Sequence, residues 1–186
     1  GGRGTQPTHL VQQPVGKEAG YNTERIKPVF WFHCLPDALP VPTDRPIKHL
    51  KDYIEAAKKA PVATTLSRSG TNSANHLAQR QVDKMAGIKT TYIPFSGTGA
   101  SNTALLGKQV SGSWGYTSVQ MSLGKQVRCL AVAMEQRHPQ LPDCPTFKEQ
   151  AFNLVGGAYR GVAVPSPTPA RIQRKLAAAR ATHPGA

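Results

Sequence analysis

An α/β fold built on a mostly parallel sheet is predicted by three observations. Short runs rich in β-branched and aromatic residues alternate with segments whose apolar residues recur at helical spacing. The links between them are short, and small polar loops follow the strands. With 186 residues, 39% of them hydrophobic, the chain suits one ordinary domain or one and a fraction. No apolar run is long enough to span a bilayer as a helix. The 17 Gly and 16 Pro are interleaved with apolar runs, which excludes collagen and argues against full disorder.

In chain order, residues 1–25 are Gly/Gln/Pro-rich and read as loop or frayed segment, with neither an initiator Met nor the basic-then-apolar pattern of a secretory signal. Residues 28–34 (PVFWFHC) form a buried strand. Pro36, Pro40, Pro42 and Pro46 are too closely spaced for any helix, which predicts a linker or crossing segment with Val41 in a short extended piece. Ile47, Leu50, Ile54 and Ala57 then recur at helical spacing, with Asp44 as N-cap and Pro46 in the early turn. Strands follow at 62–66, 90–93, 110–114 and 127–133, and helices at 73–85, 100–106 and 118–123. A helix begins at 146–151, residues 155–164 are extended as far as Pro165, and a helix over 169–181, carrying Ile172 and Leu176 four apart, closes the chain.

Charge is the unusual quantity. Lys and Arg number 23 against 10 Asp and Glu, a net +13, which suggests an anionic partner. The excess is diffuse: residues 84–134 hold no acid and only Lys84, Lys89, Lys108, Lys125 and Arg128 as bases. Cys34, Cys129 and Cys144 form no CxxC pair, and His33 beside Cys34 has no second ligand pair at zinc spacing. Neither a metal site nor a disulfide framework is therefore expected. Cys129, inside an apolar run, reads as a small buried hydrophobe.

Ligands of open α/β sheets bind outside the carboxyl ends of the strands. Three small polar loops fall there: Ser67–Ser73, Phe95–Gly99 and Gly115–Ser118. Each offers backbone N–H groups at a helix start, glycines that let a ligand approach, and Ser or Thr hydroxyls, a combination suited to a carboxylate. The same residue types also serve as ordinary helix caps. No GxSxG, P-loop or GxGxxG motif occurs. His76 reads as structural, and Asp83, Glu135 and Asp143 converge on no loop, so no enzyme and no cofactor are expected. The alternative raised by the charge is a basic nucleic-acid-associated module. With 6% aromatics and no RRM or zinc-finger signature, nucleic acid is not the expected partner.

From about Pro46 to Lys175 the chain resembles the periplasmic receptors of tripartite tricarboxylate transporters, the Bug-type solute-binding proteins. Residues 69–77 (SGTNSANHL) resemble the family's SGxxSxxHL loop and helix, 92–98 (YIPFSGT) its xVPYKG segment, and 104–110 (ALLGKQV) its LLGGQV. The run VRCLAV at 127–132, then Arg137, Pro139 and LPDCPTF at 141–147, resembles VRALAV…R…P.LPDVPTF. Residues 158–165 (AYRGVAVP) resemble the strand returning to the first lobe. The resemblance implies a type II periplasmic-binding-protein fold, two-lobed and closing on a carboxylate that it delivers to membrane subunits. On this basis residues 1–43 are a first-lobe remnant and crossing segment, 44–157 a three-layer αβα ligand-binding lobe, and 158–186 a return strand and helix. The ligand loops carry over onto Ser69, Gly70, Thr71, Asn72 and Ser73, onto Phe95, Ser96, Gly97 and Thr98, and onto Tyr116 and Thr117. Arg160 is a candidate counter-ion. The family's Gly-rich first-lobe loop has no match here, and its YKG lysine is Ser96. A partial cleft implies weak or no ligand binding by this chain alone.

Overall fold

The computed structural model describes residues 2–6, 25–61, 63–69 and 73–181, with backbone only at 2–6, 32, 68, 69, 180 and 181. It divides into two compact units, Gly1–Cys34 with Ala158–Ala186, and Leu35–Gly157.

In the first unit, β1 (Gly2–Gln6) pairs antiparallel with β8 (Gly157–Pro165), Gly4 opposite Gly161. Strand β8 lies in turn beside the first half of β2 (Ile26–Pro42). Gly161 is required by that approach: a Cβ there would sit 2.2 Å from the Trp31 ring and 2.5 Å from the Phe30 carbonyl oxygen. A final helix, α5 (Ala170–Ala181), follows β8.

The second unit carries the main core. Its elements are the second half of β2, α1 (Leu50–Lys59), β3 (Thr65–Ser69), α2 (Ala74–Ala86), β4 (Thr91–Phe95), α3 (Thr98–Leu106), β5 (Gly112–Ser113), β6 (Gly115–Tyr116), α4 (Thr117–Leu123) and β7 (Val127–Val132). Leu39, Val41, Leu50, Tyr53, Leu66, Val82, Trp114, Leu130 and Phe147 are buried in one cluster. Trp114 stacks on Phe147 with ring centroids 5.5 Å apart. Helix α1 starts later than its apolar spacing predicts, and Asp44 does not cap it. Asp52 Oδ2 instead accepts from the backbone N–H of Lys48 at 2.8 Å and His49 at 2.9 Å, while Asp44 pairs with Lys108.

The expectation of a mostly parallel sheet is corrected. Strands β4–β3–β5 are parallel, but β6 and β7 both pair antiparallel with β2. The proline-rich linker is likewise a strand, buried from Pro36 to Pro42. Parity permits this. Pro36, Pro40 and Pro42 sit at even positions, so their missing N–H groups fall on one side of the strand. Odd positions carry bonds: Asp37 donates to Gly156 O at 3.1 Å, and Thr43, just beyond the strand, to Gln126 O at 3.1 Å. A register shift between Ala38 and Pro40 absorbs the irregularity.

The strand expected at 110–114 is split, because the chain changes sheet at Trp114. Gly112 and Ser113 pair with β3, whereas Gly115 and Tyr116 pair with β2. The crossing is tightly packed. A Cβ on Gly112 would lie 3.1 Å from Leu66 Cδ2, 3.2 Å from Val41 Cγ1 and 3.4 Å from the Pro40 carbonyl oxygen.

Cys129 and Cys144 form a disulfide, with Cα atoms 5.4 Å apart and a sequence separation of 15, which overturns the reading of Cys129 as an unbonded hydrophobe. Spacing could not reveal the bridge because the chain loops away and returns beside β7. Val132 donates to Pro145 O at 2.9 Å and accepts from Phe147 N–H at 3.0 Å, drawing Cys144 to the strand. Closing a loop with a separation of 15 is worth about 3 kcal/mol in the chain-entropy account. Urea unfolding of a Cys129→Ala/Cys144→Ala variant is therefore expected to show a loss of about that size, and reductant should then shift the parent's midpoint but not the variant's.

Candidate functional site

Parallel pairing of β3 with β4 and β5 aligns the carboxyl ends of these strands, with Ser69 opposite Phe95 and Ser67 opposite Ser113. Helix α3 starts two residues after β4 ends. A shallow, open pocket lies here, lined by Asn75, Thr98, Ser101, Asn102, Ser113, Trp114, Gly115, Tyr116 and Val119. Among the described residues, no ionisable side chain other than the Tyr116 phenol lines it.

Three buried serines sit at its edge, one each from β3, α3 and β5. Ser101 donates to Ser67 Oγ at 2.8 Å, Ser113 donates to the Ser67 carbonyl at 3.2 Å, and the Ser101 and Ser113 hydroxyls lie 3.4 Å apart. Ser101 and Ser113 thus reach the pocket already oriented by hydrogen bonds behind it. On the other side, Asn75 in the first turn of α2 is buried and donates from Nδ2 to Asp37 Oδ1 at 2.5 Å and to the Gly115 carbonyl at 3.2 Å.

Of the residues singled out by sequence, Thr98 and Tyr116 line this pocket. Ser73 is the N-cap of α2, its hydroxyl accepting from His76 N–H at 3.4 Å. Gly97 is the N-cap of α3, Ser96 is exposed, and Thr117 is buried at the start of α4. Phe95 packs against Leu105, Val110 and Val127. Ser69 ends β3, its side chain lying outside the described residues together with all of Gly70, Thr71 and Asn72. Arg160 is exposed on β8 in the other unit and does not line the pocket. Ser67, expected to open the first loop, is instead a buried residue within β3. Among the described residues no cluster of His, Cys, Asp or Glu is arranged to hold a metal, and no helix is long and apolar enough to cross a membrane.

A family model described as the tripartite tricarboxylate transporter family receptor matches residues 7–184. The chain belongs to this receptor family. A UPF0065 protein in the gbd 5'region of Cupriavidus necator is 32% identical over 143 residues, covering 74% of this chain and 42% of that protein. A TctC solute-binding protein from Polaromonas superposes with a TM-score of 0.80 at 27% identity, covering 97% of this chain and 62% of that one. MatC from Rhodopseudomonas palustris, solved with bound malate, superposes at 0.82 with 24% identity over 97% of this chain and 63% of its own. The α/β periplasmic-binding-protein fold is thereby shown. This receptor-family chain spans less than two thirds of the length of each of these relatives.

Sequence reading missed Asp37. The stretch around loops two and three holds no acid, yet β2 brings this carboxyl in from outside it, opposite Tyr116 in the β2–β6 ladder. The one available signal was an acid between two prolines and an apolar run, which reads equally as a turn. Burial raises the carboxyl from 3.8 to about 7, with the hydrogen bond from Asn75 pulling the other way. Folding therefore favours the protonated acid. The contribution is fully present below the unfolded value of 3.8 and is lost as pH rises towards about 7. Asp37→Asn is expected to flatten that decline and to stabilise the chain at pH ~8 by on the order of 3 kcal/mol, read from thermal unfolding across pH.

Proposed function

We propose that this chain forms the ligand-receiving part of a non-catalytic extracytoplasmic receptor that captures an organic carboxylate for a tripartite transporter. The observation that carries this reading is the pocket. In a chain of this receptor family, it is walled by neutral hydrogen-bonding groups and the first turns of α3, at the carboxyl ends of parallel strands. Helix starts and hydroxyls supply donors there, and no paired acid and base stand ready to turn a bound anion over. We assign the ligand contacts to Ser69, Gly70, Thr71, Asn72 and Ser73, to Phe95, Ser96, Gly97 and Thr98, and to Tyr116 and Thr117. The malate bound to MatC is the kind of solute intended. The Cys129–Cys144 bridge supports a location in an oxidising compartment such as the periplasm, with the transporter's membrane subunits as partners.

The pocket is shallow and open to solvent, whereas sites that hold a small molecule tightly bury most of its surface. Affinity in this chain alone should accordingly be weaker than micromolar. Calorimetry with dicarboxylates, aromatic acids and citrate is expected to show weak saturable binding, reduced by about 1 kcal/mol in Thr98→Ala. Micromolar affinity in this chain alone overturns the partial-cleft account, and absence of binding by every acid to a chain extended to its relatives' full length overturns the receptor reading. So does tighter, steeply salt-dependent binding to a DNA duplex, the behaviour of a protein that tracks phosphates.

A further inference from the structure

Two pocket residues are left chemically incomplete. Trp114 is 1% exposed, yet its indole Nε1–H has no partner, and Asn102 Oδ1 is buried without one. Gln79 and Gln120 also hold an unmatched amide oxygen, but each is anchored through its NH2 group, to Thr90 and to the Val127 carbonyl respectively. Among the described residues, Trp114 and Asn102 make no side-chain hydrogen bond at all, and both line the same pocket. A buried donor and a buried acceptor with nothing to bond are costly, and native folds retain few of them.

We propose that Trp114 and Asn102 read a hydroxyl group on the ligand, so that the receptor selects hydroxy acids over their deoxy parents. The proposal rests on the receptor reading above. A hydroxyl both donates and accepts, so it is the one small neutral group that matches a lone donor and a lone acceptor in the same pocket, accepting from an indole N–H and donating to an amide oxygen. A carboxylate only accepts. It would leave Asn102 Oδ1 facing another oxygen, with no cation among the described lining residues and with the Asp37 carboxyl just behind Asn75. The ligand's carboxylate therefore belongs at the helix starts, and its hydroxyl at Trp114 and Asn102. The deoxy parent leaves the two groups as they are in the empty pocket.

The test is a titration of the ¹⁵N-labelled chain with matched acids: malate against succinate, 3-hydroxybutyrate against butyrate, citrate against tricarballylate. The readout is the Trp114 indole resonance, assigned by its persistence in Trp31→Phe. Hydroxy acids should move that resonance and bind about fivefold or more tightly than their partners, the low end of what one unmatched buried group costs. Asn102→Leu, a substitution on a half-buried helix position, should erase the difference while leaving the fold intact. A Trp114→Phe variant opens a hole beside Phe147, so the indole signal and Asn102→Leu carry the test. Equal affinity within every pair overturns the hydroxyl reading alone. It would mean that water completes the two groups, or that the Asn102 amide turns over and presents a second donor to a bare carboxylate. Silence of the indole resonance towards all six acids overturns the hydroxyl reading alone, because a partial cleft already accounts for lost affinity.

Discussion

The carboxamide of Asn75 holds three separate pieces of backbone in register. It stands in the first turn of α2, and its two N–H groups go to Asp37 on β2 and to the Gly115 carbonyl at the start of β6. Gly115, Tyr116 and Val119 form one wall of the pocket, and that wall is placed by this amide. Its cost is a carboxyl buried to 2% exposure. That cost is limited because the acid is kept largely protonated at lower pH and bonded to Asn75 when ionised. A hydrophobic substitute for Asn75 would release the Gly115 carbonyl that the amide ties down, and one for Asp37 would leave an amide N–H of Asn75 without its acceptor.

The opposite wall is organised on the same principle with weaker groups. Ser67, Ser101 and Ser113 satisfy one another across a sheet and a helix, so polar atoms occupy space that close packing would otherwise assign to hydrocarbon. Beneath both walls the apolar cluster around Trp114, Phe147 and Leu130 supplies the stability that lets the pocket remain polar. Trp114 belongs to both regions: its ring is core, and its nitrogen belongs to the pocket.

Elements with strong local signals were legible in the sequence. The periodicity of Ala78, Val82 and their neighbours, with Ser73 ahead of them, marks α2 and its cap; the apolar run ending at Val132 marks β7. Pro36 to Pro42 misled because prolines argue against helix and central strand alike, and only their shared parity, visible once a partner strand is known, reveals an acceptable ladder. β3 was displaced by three residues because Ser67, Arg68 and Ser69 look like loop, and the buried serine cluster that makes Ser67 a core residue is a tertiary fact. Thr98 and Tyr116 could be picked out because they sit at strand-to-helix junctions. Asn75, Asn102 and Asp37 could not, since the contacts that give them meaning join residues up to 40 positions apart. The Cys129–Cys144 bridge escaped for the same reason.

The seam at Gly112 has a further bearing on how such a pocket can diversify. With Leu66, Val41 and the Pro40 carbonyl within 3.4 Å of where a Cβ would stand, the crossing between the sheets leaves little room. A bulkier residue would press on these neighbours and on the Trp114 corner that follows. A new preference for one solute over another must therefore be written in side chains that hang from this junction, such as Asn102 and Tyr116, while the hinge of backbone beneath them stays invariant in size.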